Sequence, residues 1–152
     1  MKTKTTILEI NHEDLVDFFS TALYGSRMFG ARYDSIEYYE LKDANENDCY
    51  EDKLARLLLA GKTIEIIDKY AEDADEYYGN LPHVWVWNEY EYEMIYTVSL
   101  DDIKRGIQSC LDGDDYLSEC ARNLVHSDEG NFDSPQAENI LQVVLFGEMI
   151  YG

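Results

Sequence analysis

Basic residues are scarce in this sequence. Its 152 residues include 12 Lys and Arg against 32 Asp and Glu, so the formal net charge at pH 7 is −20. A surface with so few bases repels nucleic acid and anionic membrane headgroups, and it attracts cationic partners. The composition therefore favours a basic protein surface as the partner, and we expect neither direct nucleic-acid binding nor membrane binding.

Cysteine and histidine are also few, with three of each. Cys49, Cys110 and Cys120 form no C-x-x-C pair, and we expect buried, reduced thiols in a cytoplasmic protein. The histidines have no metal-ligand spacing to one another or to a cysteine. We therefore expect no metal and no cofactor.

Long hydrophobic runs and catalytic motifs are missing as well. The longest apolar run is interrupted by Gln142 and Glu148 and is too short to span a bilayer. The first residues lack the three regions of a signal peptide. The sequence contains no phosphate-binding glycine motif and no G-x-S-x-G. We therefore expect a cytoplasmic protein that is not an enzyme.

What the chain does contain is a large apolar and aromatic fraction. Hydrophobic residues make up 45% and aromatic residues 13% of it, enough for a packed core. Acids alternate with aromatics in segments 33–40 and 87–93. We therefore expect a packed body that carries its acids outward, and whose charge repulsion is relieved by salt.

Five segments have the composition or alternation of strands: 5–10, 32–41, 62–68, 83–87 and 91–98. The last two indicate a hairpin. Strands mixed with helices predict an α+β fold, with a mostly antiparallel sheet of four to five strands and about five helices packed on it. The length favours a single compact domain over residues 1–152.

Five helices are predicted from caps and apolar spacing. The first starts at Asn11 and is stopped by Gly25, the second is capped by Asp48 and runs through Ala60, and the third is capped by Ser99 and runs through Leu111. The last two run over 115–125 and from Ser134 to about Ile150. The last helix is apolar nearly all round, which is typical of a core helix or a dimer interface. Segments 5–25 and 93–113 share a strand–cap–helix–glycine pattern, which leaves an internal βα duplication open.

Three segments carry a family resemblance: 54–62, 96–103 and 145–152. They resemble small acidic, uncharacterised proteins of conjugative transposons and phages of Bacteroides-type bacteria. Some acidic proteins of mobile elements are antirestriction DNA mimics, so the resemblance implies a possible DNA mimic. None of these segments is a functional motif, and no site residue follows from them.

The leading hypothesis is a non-enzymatic acidic binding protein that contacts a cationic protein surface. Its sharpest form is a DNA-mimic decoy of a nucleic-acid-binding or defence protein. One alternative is a structural or regulatory subunit that forms a homodimer through the apolar C-terminal helix, and another is a carboxylate- or metal-dependent hydrolase. The predicted partner-binding residues are Asp73, Asp75, Glu76, Trp85, Trp87, Glu89, Tyr90, Glu91 and Glu93.

Overall fold

The computed structural model describes residues 8–70, 84–88, 93–126 and 132–151, with the backbone alone for 84–88 and 126. Within these ranges the chain forms six helices and four strands. The helices are α1 (His12–Leu23), α2 (Ser35–Tyr39), α3 (Tyr50–Leu59), α4 (Leu100–Leu111), α5 (Asp115–His126) and α6 (Ser134–Phe146). The strands are β1 (Phe29–Arg32), β2 (Ile64–Asp68), β3 (Val84–Asn88) and β4 (Glu93–Val98).

The strands form one antiparallel sheet in the order β1-β2-β4-β3. Ile64 lies opposite Val98 and Ile66 opposite Tyr96 at the centre of the sheet. All four side chains are buried in the main core, because alternate residues of a strand share one face. The α+β class and the antiparallel pairing are therefore confirmed.

The helical core is built around α6, which contacts α1, α4 and α5. Every residue from Ile140 to Phe146 is buried. Gly106 of α4 lies directly against Val144 of α6, so that an added Cβ would sit 2.3 Å from Val144 Cγ2. The apolar C-terminal helix is thus a core helix, which was one of the two roles predicted for it beside a dimer interface.

Two helices begin with the capping chemistry that the sequence predicted. The backbone N–H of Asp14 donates to Asn11 Oδ1 at 2.8 Å, and Asp14 accepts from the N–H of Asn11. Ser99 and Asp102 form the same reciprocal pair at the start of α4. Each pair satisfies two backbone donors that a helix start would leave unpaired.

Three of the five expected strands are present. The strands predicted over 62–68, 83–87 and 91–98 correspond to β2, β3 and β4. The strand expected over 32–41 was wrong. Its first residue ends β1, and Asp34 then accepts from the backbone N–H groups of Ile36 and Glu37 and starts α2. The strand expected over 5–10 lies partly outside the described residues, and 8–10 form no strand.

Two helix boundaries were also wrong. Cys49 rather than Asp48 occupies the N-cap of α3, because the Asp48 carboxylate is held by other side chains. The last helix ends at Phe146 rather than near Ile150, because Gly147 adopts a left-handed conformation with φ of 81°. Cys110 and Cys120 are buried as expected, whereas Cys49 is exposed.

No helix among the described residues is long and apolar enough to cross a membrane.

Candidate partner-binding surface

Most of the predicted partner-binding residues lie where the structure gives no side-chain description. Asp73, Asp75, Glu76, Glu89, Tyr90 and Glu91 are outside the described residues. Trp85 and Trp87 lie on β3, where they pair with Tyr96 and Met94 of β4. Glu93 is half-buried at the start of β4, opposite Asn88. The structure therefore brings Trp85, Trp87 and Glu93 onto one hairpin, and the other six predictions stay predictions.

The other acid–aromatic segment, 33–40, is fully described. Its first two residues connect β1 to α2, and the rest form α2 and its C-cap. Tyr38 is buried, whereas its neighbour Tyr39 is 54% exposed. Ile36 is 74% exposed on the same short helix. Because α2 is only five residues long, most of its side chains reach solvent. This segment presents an apolar and aromatic surface flanked by the exposed acids Asp34 and Glu40.

Four tyrosines, Tyr33, Tyr38, Tyr39 and Tyr50, form a cluster where α2 meets α3. The rings of Tyr38 and Tyr39 lie 5.1 Å apart, and those of Tyr33 and Tyr50 lie 5.8 Å apart, between centroids. Their tilted and edge-on orientations are the arrangements that aromatic pairs prefer. Because Tyr33 contacts both Tyr38 of α2 and Tyr50 of α3, this tyrosine cluster links the two helices.

The tyrosine cluster holds a cation from its own chain. The Nζ of Lys53 lies 5.4 to 5.9 Å from the ring centroids of Tyr33, Tyr38 and Tyr39. An ammonium at this distance is attracted by the negative faces of the rings. Desolvation acts to lower the pKa of Lys53, but the hydrogen bond and charge of Tyr33 and the other rings outweigh it, so the pKa is raised.

Tyr50 joins the cluster to the edge of the sheet. Its hydroxyl donates a hydrogen bond to the carbonyl oxygen of Ala31 on β1, the edge strand. Burial of the phenol, followed by the charges of Tyr33 and Glu51, raises the pKa of Tyr50 to about 12. The hydroxyl thus hydrogen-bonds to a backbone carbonyl of an edge strand. Backbone carbonyls and N–H groups at a sheet edge are otherwise open to pairing with another chain.

Beside the cluster lies an open groove of about 560 Å³, which we call the α2–α3 groove. It is bounded by the first residue of α1, by the chain that follows α2, and by the C-terminal end of α3. Its lining residues are His12, Glu40, Leu41, Lys42, Asp43, Arg56, Leu59 and Ala60. The volume is within the range of roughly 300–1,000 Å³ that is common for ligand pockets.

Two of the basic groups of the α2–α3 groove are already paired. Arg56 Nε lies 2.7 Å from Asp48 Oδ2, and His12 Nε2 lies 2.7 Å from Asp52 Oδ1. Asp48 Oδ2 also accepts a 2.6 Å hydrogen bond from the hydroxyl of Tyr38. That bond and the Arg56 guanidinium lower the pKa of Asp48, against the opposing effect of its desolvation. These contacts fix the side chains of Arg56 and His12 in the wall of the groove.

Sequence reasoning missed the α2–α3 groove because its residues come from three separate segments. His12 and Asp52 are 40 residues apart, and no local spacing links them. Asp48 and Arg56 are eight residues apart, beyond the three- or four-residue spacing of side chains in contact on a helix, and Asp48 precedes α3. A usable signal was present in segment 33–40, whose mixture of acids and aromatics matches that of 87–93.

The described residues contain no group of three or more His, Cys, Asp or Glu arranged to hold a metal ion. Comparisons with protein-family models, with curated proteins and with solved structures found no match to this chain. The site is therefore interpreted from its own chemistry.

Proposed function

We propose that this protein is a non-enzymatic acidic binding protein that contacts a cationic protein surface. The observation that supports the proposal is the distribution of its acids. Within the described ranges every Asp and Glu except Asp68 is at least partly exposed. Charge that faces solvent is available to a partner, whereas buried and paired charge would not be.

The bases of the chain neutralise few of these acids. Among the described residues, the arginine ion pairs join Arg32 to Glu65, Arg56 to Asp48 and Arg105 to Asp102. Many exposed acids, such as those of the α4–α5 region, lie outside these pairs. The Lys and Arg residues of this protein therefore leave most of its negative charge uncompensated. A basic surface that docks on the protein would meet that negative electrostatic field.

The sharpest form of the proposal is a DNA-mimic decoy carried by a mobile element, a role that some acidic proteins of mobile elements have. The net charge of −20 equals the phosphate charge of about 34 Å of duplex DNA, at about one charge per 1.7 Å of axis. That is about one turn of the double helix. The total charge thus matches that of a short DNA site, and the decoy form of the proposal requires the acids to lie along one face.

The alternatives draw less support from the described residues. A subunit that pairs through its C-terminal helix needs an open apolar face on α6, and that face is occupied by α1, α4 and α5. A hydrolase needs a carboxyl group with a raised pKa to act as a general acid. In the α2–α3 region the resolved carboxylate shift, that of Asp48, is downward.

The test is binding to a purified basic DNA-binding protein, such as a histone-like protein, measured by calorimetry at several salt concentrations. We expect affinity to fall steeply as salt rises, and a short DNA duplex to displace the acidic protein from its partner. A neutral DNA-unrelated protein serves as the control partner. Absence of binding at low salt would overturn the proposal, and binding without competition by DNA would overturn its decoy form.

A further inference from the structure

The α2–α3 groove combines three kinds of lining residue. Leu41 and Leu59 supply apolar area, Glu40 and Asp43 supply exposed carboxylates, and Lys42 is an exposed base. Leu59 is 43% exposed although it is a large aliphatic residue at the end of α3. An exposed leucine that borders a groove is apolar area from which an occupant would displace water.

The charge of the groove is negative once its internal pairs are considered. Arg56 is balanced by Asp48 and His12 contacts Asp52, so these two walls contribute no free positive charge. Lys42 remains against the two carboxylates of Glu40 and Asp43. The unpaired charges of the lining thus favour a cation, which agrees with the charge of the whole chain.

From this lining we infer that the α2–α3 groove receives a short arginine-bearing segment of the cationic partner. An arginine side chain has an aliphatic stem that packs on apolar area and a planar guanidinium that donates to carboxylates. Leu41 and Leu59 fit the stem, and Glu40 and Asp43 fit the guanidinium. This inference rests on the proposed function, and it names the subsite through which that function acts.

The neighbouring tyrosine cluster already holds a cation of the chain itself, on aromatic faces rather than on carboxylates. Lys53 of α3 packs with its ammonium near three tyrosine rings, one of which, Tyr39, is next in sequence to Glu40 of the groove. Because Lys53 already occupies the cluster, the cluster does not compete for the partner's cation. The groove offers the adjacent place where a second cation finds both carboxylates and apolar contact.

The experiment compares two variants that remove the same charge from different places. Glu40→Gln with Asp43→Asn neutralises the groove, and Asp115→Asn with Glu119→Gln neutralises two exposed acids of α5, which does not line the groove. Each protein is titrated with acetylated tetra-arginine amide, acetylated tetra-lysine amide and inorganic phosphate. Binding is measured by calorimetry and by the NMR shifts of the leucine methyl groups.

We expect the groove variant to bind tetra-arginine about tenfold more weakly than the unaltered protein, since the charges of two carboxylates that pair with the guanidinium groups are lost. The α5 variant should stay within about twofold. Tetra-arginine should bind more tightly than tetra-lysine, and it should shift the methyl signals of Leu41 and Leu59.

Equal weakening in both variants would overturn the inference and leave the proposed function intact, because charge alone would then explain binding. Methyl shifts caused by phosphate, and not by the peptides, would overturn it by making the groove an anion site. If the unaltered protein bound neither peptide nor any basic protein, the proposed function itself would fail.

Discussion

The hydroxyl of Tyr151 donates a 2.5 Å hydrogen bond to Oδ2 of Asp68, across a sequence separation of 83 residues. Asp68 is fully buried at the end of β2. The backbone next to Tyr151 is held as well, because Gln142 Oε1 accepts from the N–H groups of Ile150 and Tyr151, each at 2.8 Å. The segment after α6 is therefore fastened to both the core helix and the sheet.

The first prediction concerns this connection. Tyr151→Phe keeps a ring that can pack on Phe146, but it removes the hydrogen bond to a buried carboxylate. We expect the free energy of unfolding to fall by about 1–3 kcal/mol. Urea denaturation followed by circular dichroism measures the change. Tyr24→Phe is the matched control, since Tyr24 is 85% exposed, and it should change the free energy by less than about 0.5 kcal/mol.

The second prediction concerns the contact between α4 and α6. In Gly106→Ala the new Cβ would lie 2.7 Å from the Cα of Val144, which is backbone and cannot move alone. We expect a net destabilisation of about 1–3 kcal/mol, although alanine is the better helix former. Ser109→Ala, at an exposed position of the same helix, is the control. A Gly106→Ala protein as stable as the control would show that the two helices can separate at little cost.

The third prediction concerns the titration of Asp48. Its pKa is lowered first by the hydrogen bond from Tyr38 and then by Arg56. A carboxylate with a lowered pKa stabilises the fold at pH values above its unfolded pKa of about 3.9, and that stability is lost as the pH falls through the lower folded pKa. NMR titration of the Asp48 carboxyl carbon should therefore give a midpoint below the ordinary value.

Two variants separate the causes of that shift. Tyr38→Phe and Arg56→Gln should each raise the Asp48 midpoint, because Tyr38 supplies a hydrogen bond and Arg56 supplies both a hydrogen bond and a positive charge. When acidified, both variants should lose less stability than the unaltered protein, because a smaller difference remains between the folded and unfolded pKa of Asp48. A midpoint that neither substitution moves would contradict the structure of this pair.

The fourth prediction concerns Tyr50 at alkaline pH. Burial and the neighbouring charges raise the pKa of Tyr50 to about 12. A raised folded pKa means that the stabilisation is complete below the unfolded value of about 10 and is lost as the pH rises from about 10 to about 12. Tyr50→Phe should flatten the decline of stability over that interval. Thermal unfolding at a series of alkaline pH values tests this, and an unchanged slope in the variant would contradict it.

Local chemistry explains which parts of the fold could be predicted from the sequence. The capping boxes at Asn11 and Ser99 are short-range patterns, and both helices begin where those patterns predict. The alternation in segment 91–98 likewise predicted a strand there, and Met94, Tyr96 and Val98 of β4 are buried. These elements depend on residues within a few positions of one another, so one segment of sequence contains their cause.

The wrong or missed predictions have two physical causes. Either two local signals compete within one segment, or the partner of a side chain is distant in the sequence. Segment 32–41 alternates as a strand does, yet the Asp34 carboxylate caps a helix inside it. Asp48 has the chemistry of a helix cap, but Tyr38 and Arg56 bind its carboxylate instead. The α2–α3 groove depends on His12 meeting Asp52, a contact that only the packing of α1 on α3 creates.

The fifth prediction concerns the effect of salt on stability. The exposed acids of a chain with a net charge of −20 repel one another, and this repulsion destabilises the compact state. Ions at about 0.15 M screen charges beyond about 8 Å, so we expect the melting temperature to rise between low and moderate sodium chloride. Asp115→Asn with Glu119→Gln should reduce that rise, because fewer charges remain to be screened.

Potassium sulfate at equal ionic strength distinguishes screening from surface exclusion, since only exclusion depends strongly on the anion. A melting temperature that does not change with sodium chloride would mean that the outward acids do not repel one another appreciably, and it would weaken the charge argument for a cationic partner.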